Sequence, residues 1–421
     1  MVKFAKYLPA FGWEPLILTV DGEDLLMPRQ SESMLADIPG EVPVFRSRTM
    51  EPGRNALSRV ISTSAGARRH PWGRPMKKAL KALASLVLLP DHPILWLPHA
   101  LKAGGQIAQS RGIDAILATS PPFSTSIIGV LLKKRLRKPL IVDFRDDWLS
   151  AYVHKRRPRV NRWLHPKMES WVVHQADGII LVTEASLNDF RSRYPEIPRE
   201  KFQFVSNGYD PQDYQFLLQE ENAVSASKFT VTYNGTLSDD RDPTPLLEAL
   251  KQIKETYSLS KHNVMVRFHG DISPTLQTKL PAFGLTDIVD VDTTDLPLKE
   301  VIRSMVSSHV LLAYSDKNAN TQIPGKLYEY WAVGKPVLLL AERGAASDLV
   351  QKYSLGIVVP PDSVEEIKQA LSQLYETYKS GNLLKPSQAA LEDFDRRRLT
   401  QKLVTLLNKV TDNAKPGAVN G

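Results

Sequence analysis

The chain is 421 residues long, 42% hydrophobic and 24% charged, an ordinary globular composition and more length than one compact core usually supports, so two domains are expected. The absence of cysteine excludes a disulfide framework, a thiolate nucleophile and a zinc knuckle, and favours a cytoplasmic setting. Net charge is +8 and unevenly spread: residues 1–205 carry 31 Lys and Arg against 19 Asp and Glu, the remainder 23 against 27.

The first residues, MVKFAKYLPAFGW, lack the unbroken apolar stretch of a signal peptide. No segment offers the roughly eighteen apolar residues of a spanning helix, so a soluble or peripheral protein is expected. Strand-like runs open with PLILTV (15–20) and VPVF (42–45). From Arg46 to Lys81 there are ten basic residues and one acidic residue, and this run enters MKKALKALASLVLLP, where Lys77, Lys78 and Lys81 oppose Leu80, Leu83 and Val87. That pattern reads as a basic amphipathic helix suited to an anionic membrane surface or a pyrophosphate-linked acceptor, each cation contributing about 1 kcal/mol at a charged bilayer. A solvated basic face accounts for it equally well. PDHPILWLPHALKAGG, with Trp96, is either a membrane wedge or part of the core. Nucleic acid is not an expected partner, because positive charge is its only signal and no recognition module accompanies it.

Further along come DAILATS (114–120), PLIVDF (139–144), GIILVT (178–183) and FQFVSN (202–207). Between the second and third of these, Val160, Trp163, Leu164, Met168, Trp171 and Val172 form one apolar stripe, with the tryptophans expected in the core. The second half restarts the pattern with FTVTYNG (229–235), NVMVRFHG (263–270), IVDVDT (288–293), HVLLAYS (309–315), KPVLLLA (335–341) and LGIVVPP (355–361). Short Val-, Ile- and Leu-rich runs alternating with helical segments indicate α/β domains with parallel sheets covered on both faces. The polar stretch from Asn207 to Lys228 reads as the hinge. Helical segments follow over 364–380 and 387–409, and the division expected is 1–206, 207–385, a C-terminal helix over 386–412 and a disordered tail over 413–421. Two facing doubly wound domains would form a cleft lined by strand-end loops, so functional residues should follow strands.

They do. DFRDDW gathers Asp143, Arg145, Asp146 and Asp147 at one strand end, a density of charge that must either pair internally or serve a ligand. ATSPPFST offers Thr119, Ser120 and Ser124 as helix caps or hydroxyl contacts, stiffened by Pro121 and Pro122. In YNGTLSDDRDPTPLLEAL a strand leads through Gly235 and a polar loop with Arg241 to a helix. Glycine admits a phosphate to the backbone, and a guanidinium binds its oxygens in bidentate fashion. IPGKLYEYWAVGKPVLLL adds Lys326 and Glu329, three apart on one helix, placed to neutralise a diphosphate and accept from ribose hydroxyls, or to form an ordinary surface ion pair.

The ordered set KFAKYLPAFGWEPLILTV, ATSPP, PLIVDFRDDW, SNGYD, YNGTL, IPGKLYEYWAVGKPVLLLAERG and SLGIVVPP resembles, over nearly the full length, the bacterial family 4 glycosyltransferases of the GT-B fold, particularly the O-antigen and exopolysaccharide branch. The resemblance implies a UDP- or GDP-type nucleotide-sugar donor held by the second domain, with no cofactor because that donor is a substrate. It also implies a lipid-linked or glycan acceptor on the first domain, and metal-independent, retaining transfer at the inner face of the cytoplasmic membrane. Carried over by position, Arg241 and Lys326 would hold the diphosphate, Glu329 the ribose and Gly235 the close backbone approach, while Arg145 and Asp146, with Asp143, would face the transferred sugar. Ser120, Lys77, Lys78 and Lys81 would lie on the acceptor and membrane side.

Two departures stand out. Where many relatives carry a glutamate eight positions before Glu329, this chain has Thr321. Relatives also open with a strand and a loop ahead of the helix that matches VKFAKYLPAFG, so the first domain is expected to lack its first strand. A slot would then lie between neighbouring strands, through a late assigned start or a truncated form. The competing functions are a non-catalytic nucleotide-sugar-binding relative and a non-hydrolysing sugar-nucleotide epimerase.

Overall fold

The computed structural model describes residues 1–21, 37–50, 88–149, 159–219, 228–238, 241–294, 296–315 and 320–414. Lys77, Lys78 and Lys81, and nearly all of the expected tail, lie outside them. The chain divides into two compact units, one of Met1–Val205 with the chain from Thr400 onward, the other Ser206–Leu399. Both are α/β, with every strand pair parallel.

The first unit opens with α1 (Val2–Tyr7), β1 (Ile17–Val20) and β2 (Val44–Ser47). There follow α2 (Leu97–Arg111), β3 (Ile116–Ser120), α3 (Ser124–Leu136), β4 (Leu140–Phe144), α4 (Arg159–Gln175), β5 (Gly178–Leu181), α5 (Glu184–Arg193) and β6 (Phe202–Phe204). Strands β3, β4, β5 and β6 form one sheet in that order, and β1 pairs with β2 in another. All of β4 and β5 is buried, as expected of strands covered on both faces, whose sequences are unbroken apolar runs. Thr183 starts α5 by accepting the Ser186 N–H on its hydroxyl at 3.0 Å, a standard N-cap.

The second unit contains β7 (Phe229–Asn234), α6 (Thr244–Thr256), β8 (Val264–His269), β9 (Val289–Asp292), α7 (Leu298–Ser307), β10 (Val310–Tyr314), α8 (Lys326–Ala332), β11 (Val337–Leu340), α9 (Ala345–Lys352), β12 (Gly356–Val359) and α10 (Val364–Lys379). Its sheet runs β12-β11-β10-β7-β8-β9, a doubly wound order with its reversal between β7 and β10. On α10, Ile367, Ala370, Leu371, Leu374 and Tyr375 are buried. This i, i+3, i+4, i+7, i+8 stripe packs against the similarly buried face of α6.

The two units differ in how their strands join. The second unit runs unbroken through β8-β7-β10, whereas among the described residues no strand joins β1 to β3.

Among the described residues every strand but β2 lies within an apolar run read from the sequence, β2 starts in VPVF and continues through Arg46 and Ser47, and other expectations change. Trp163 is 61% exposed rather than core. The buried stripe of α4 runs Asn161, His165, Glu169 and Val172, and its first three members are polar, so a search for apolar periodicity passes over them. At the start of the stretch read as the hinge, SNGYD is packed structure: Tyr209 exchanges backbone hydrogen bonds with Phe394 and Arg396, and a β-carbon on Gly208 would lie 2.0 Å from the Phe394 carbonyl. The last helix, α11 (Arg396–Asn413), begins later than expected. The segment before it is held on α8, with Trp331 Nε1 donating to Ser387 O at 2.6 Å and Gln388 Nε2 to Trp331 O at 3.1 Å. Beyond Thr400, α11 packs on the first unit, where Leu406 rests on the bare backbone of Gly178. No helix among the described residues is long and apolar enough to cross a membrane.

Candidate active site

In the second unit the carboxyl ends of β7, β8 and β10 stand side by side at the reversal of strand order, where such sheets bind ligands. Gly235 leaves β7 at φ +117, a conformation that side chains resist. Its N–H donates to His269 O at 2.8 Å. Gly270, at φ +116, leaves β8 so close that a β-carbon there would meet Gly235 O at 2.8 Å. The two glycines therefore lay two loops side by side.

Lys326 opens α8 and reaches back to these loops. Its Nζ donates to Asn234 O at 2.7 Å and lies 4.0 Å from the Tyr233 ring centroid. Burial and the nearby Arg241 guanidinium pull its pKa down to about 7, with Glu329 opposing. Arg241 donates from Nη1 to Thr236 O at 3.1 Å, which keeps its charge beside the same loop. Glu329 lies one turn along α8 and, after burial, is the main cause of the raised pKa of Tyr214. Tyr330, also on α8, accepts the Asn234 backbone N–H at 3.1 Å and donates to Leu312 O at 3.3 Å. One short helix thus holds both backbone polar groups of Asn234 at the end of β7.

Three residues that sequence reasoning missed end these same strands. Asn234 Oδ1 and Nδ2, His269 Nδ1 and Tyr314 Oη are buried without a hydrogen-bond partner. Native proteins rarely leave such atoms unpaired, so their convergence marks where a polar ligand would complete the bonding. Burial keeps the His269 imidazole toward its neutral form. The only signal in the sequence was that FTVTYN, VMVRFH and VLLAY each close an apolar run on a polar side chain.

In the first unit, DFRDDW divides. Asp143 is fully buried, and its Oδ2 accepts from Arg145 Nε at 2.8 Å and from Thr119 Oγ1 at 3.2 Å. Arg145 lies 5.0 Å from the Phe4 ring centroid and donates from Nη1 to Val205 O at 3.5 Å. Asp143 and Arg145 therefore form an internal ion pair through Oδ2, while Asp143 Oδ1 is buried without a hydrogen-bond partner. Asp146 stays partly exposed, and burial, with the charge of Asp147, pushes its carboxyl above the usual range. Trp148 is buried, stacks on Phe123 at 4.9 Å and donates from Nε1 to His165 Nδ1 at 2.8 Å. That bond ties the loop to α4.

Ser120 is buried, its hydroxyl donating to Asp143 O at 3.4 Å, so it is not offered to an acceptor. The cap of α3 is none of Thr119, Ser120 and Ser124. The Asp91 carboxylate accepts the Phe123 and Ser124 N–H groups, at 2.5 and 3.3 Å.

Residues 2–208 match the model of a glycosyl transferase 4-like domain, and residues 228–377 that of the glycosyl transferases group 1. No curated protein matches the sequence. Among solved structures, HepE of Anabaena, in complex with UDP, is similar at 17% identity and TM-score 0.58, covering 94% of this chain and 100% of its own. Sucrose-phosphate synthase of Thermosynechococcus elongatus is similar at 13% identity and TM-score 0.66, covering 98% and 92%. A glycosyltransferase from Rickettsia africae is similar at 13% identity and TM-score 0.64, covering 98% and 94%. At these identities the structures speak for the fold.

Proposed function

The chain belongs to the glycosyltransferases of the GT-B fold. From that premise we propose that it transfers a sugar, with retention of configuration and without a metal ion, from a nucleoside-diphosphate sugar to a lipid-linked glycan acceptor in cell-surface polysaccharide assembly, at the cytoplasmic face of the membrane. The observation that carries the donor half is the convergence of Lys326 and Arg241 with the unpartnered Asn234, His269 and Tyr314 at the ends of β7, β8 and β10. Two cations beside a bare glycine backbone suit a diphosphate, and the carboxylate of Glu329 suits a ribose diol. UDP is the first nucleotide to test, since a relative of this fold was solved with it.

In the reaction the bond from the anomeric carbon to the β-phosphate breaks, and the nucleoside diphosphate departs with the electron pair. The acceptor hydroxyl bonds to that carbon, its proton passing to the departing diphosphate. Charge grows on the leaving phosphate, so Lys326 and Arg241 stabilise the transition state more than the ground state. No protein nucleophile is required. On the first unit, Asp146 faces the transferred sugar, and the pair of Asp143 and Arg145 holds its loop.

The test is thermal shift with UDP-, GDP- and ADP-sugars on this protein and on Glu329→Ala. A ligand at a hundred times its Kd stabilises by about 2.7 kcal/mol. One donor class should raise the melt and lose that effect in the variant. No shift from any sugar nucleotide would sink the reading, and donor consumed to an epimer without acceptor would favour the epimerase.

A further inference from the structure

The first turns of α4 carry a surface that the transfer reaction does not use. Between Trp148 and Met168 the sequence holds Lys155, Arg156, Arg157, Arg159, Arg162 and Lys167 and no Asp or Glu. On the helix, successive residues turn by about 100°, so Trp163 and His165 point to opposite sides. Asn161, His165 and Glu169 are buried, whereas Arg162, Trp163 and Lys167 are exposed. Trp163 is the one tryptophan so exposed among the described residues, and Lys167 Nζ lies 3.6 Å from its ring centroid. An indole left in water and flanked by cations is the composition found where proteins meet lipid headgroups.

The place of this face in the unit matters as much as its chemistry. The carboxyl end of α4 lies at the amino ends of the strands, since Gln175 O accepts from Lys133 and the Asp177 N–H donates to Leu140 O. The helix spans about 25 Å, which carries its first turns to the other end of the sheet. There His165, two residues past Trp163, holds Trp148 in the loop that bears Asp146. The competing basic surface, a groove lined by Lys134, Arg137, Lys138 and Lys409, lies at the amino ends of β4 and β5, away from Asp146. It also includes Lys133, whose charge is paired with Asp177 at 2.6 Å.

We infer that the face of α4 formed by Arg162, Trp163 and Lys167 docks the first unit on an anionic phospholipid surface, setting the carboxyl ends of β3 and β4 at headgroup level. Its purpose rests on the proposed lipid-linked acceptor, but the docking itself needs neither donor nor acceptor.

The experiment is co-sedimentation of the full chain with vesicles of equal parts phosphatidylcholine and phosphatidylglycerol, and with phosphatidylcholine alone. Binding to the anionic vesicles only is expected. Arg162→Gln with Lys167→Gln should lower partitioning roughly 25-fold, at about fivefold per charge, and Trp163→Ser should lower it several-fold. Lys134→Gln with Arg137→Gln should leave it unchanged. These side chains are exposed, so melting temperatures should hold and separate lost docking from lost folding. Failure of the parent protein to sediment, or loss in the α3 variant and not in the α4 variants, overturns the inference. The donor thermal shift reports independently: vesicle binding without any donor effect rejects the proposed function and leaves the docking surface standing.

Discussion

Lys326 Nζ donates a 2.7 Å hydrogen bond to the carbonyl of Asn234 and stands 2.9 Å from the point where a β-carbon on Gly235 would sit. The lysine is held against a backbone that only glycine leaves open. Gly235→Ala should act twice, through strain of about 1–3 kcal/mol at φ +117 and by displacing the ammonium. A melt lowered by several degrees and donor affinity weakened roughly tenfold are expected from melting curves and calorimetry. An unchanged affinity beside a lowered melt would remove Lys326 from donor contact.

The depressed pKa of Lys326, about 7, makes donor binding dependent on pH. The sign follows from linkage: the diphosphate binds the protonated amine, so binding raises the pKa and takes up a proton near neutrality. Affinity should be level below the free pKa and weaken above it by up to about tenfold per pH unit, until the pKa of the bound state is reached. The diphosphate diester of a sugar nucleotide does not titrate in this range, so the slope belongs to the protein. Calorimetry in two buffers of different ionisation enthalpy measures the proton uptake. Lys326→Arg should abolish both slope and uptake, since the guanidinium stays charged. A slope that persists in that variant would assign it to another group.

Tyr314 ends β10 with its hydroxyl buried and unpartnered, which costs the free protein about 1–3 kcal/mol. Tyr314→Phe removes the hydroxyl and keeps the ring that meets Tyr233 at 6.0 Å. The variant should melt higher without donor and bind donor more weakly. Stability and affinity moving in opposite directions is the signature of a polar atom kept for a ligand. Were both to fall, Tyr314 would be a structural residue with an unseen partner.

Strands were legible because buried parallel strands are nearly pure apolar runs, as in LIVDF and VLLAY. Glycine and cation at the end of β7 were legible too, because Gly235, Arg241 and Lys326 are distinctive residue types beside a strand end. Asn234, His269 and Tyr314 were not, because burial without a partner is a property of three dimensions and leaves no spacing in the chain. The same limit hid the division of DFRDDW: sequence shows four charged residues in a row of five, and only the fold shows which carboxylate turns inward. The Asn161, His165 and Glu169 stripe was missed for the opposite reason, since its period is helical but its residues are polar.

That division supplies the sharpest contrast available in the first unit. Asp143 is fully buried against Arg145, so Asp143→Asn takes one charge out of a buried ion pair and should cost about 3–5 kcal/mol of stability. Asp146 is partly exposed, its carboxyl raised by burial and by Asp147. Replacing it relieves repulsion, so Asp146→Asn should fold as well as the parent. If it faces the sugar, turnover should fall on the order of a hundredfold while the donor thermal shift persists. Melting curves and turnover on both variants decide the matter. A destabilised Asp146→Asn with undiminished turnover per folded molecule would show that the whole of DFRDDW is scaffold and that the acceptor side of the reaction is built from other residues.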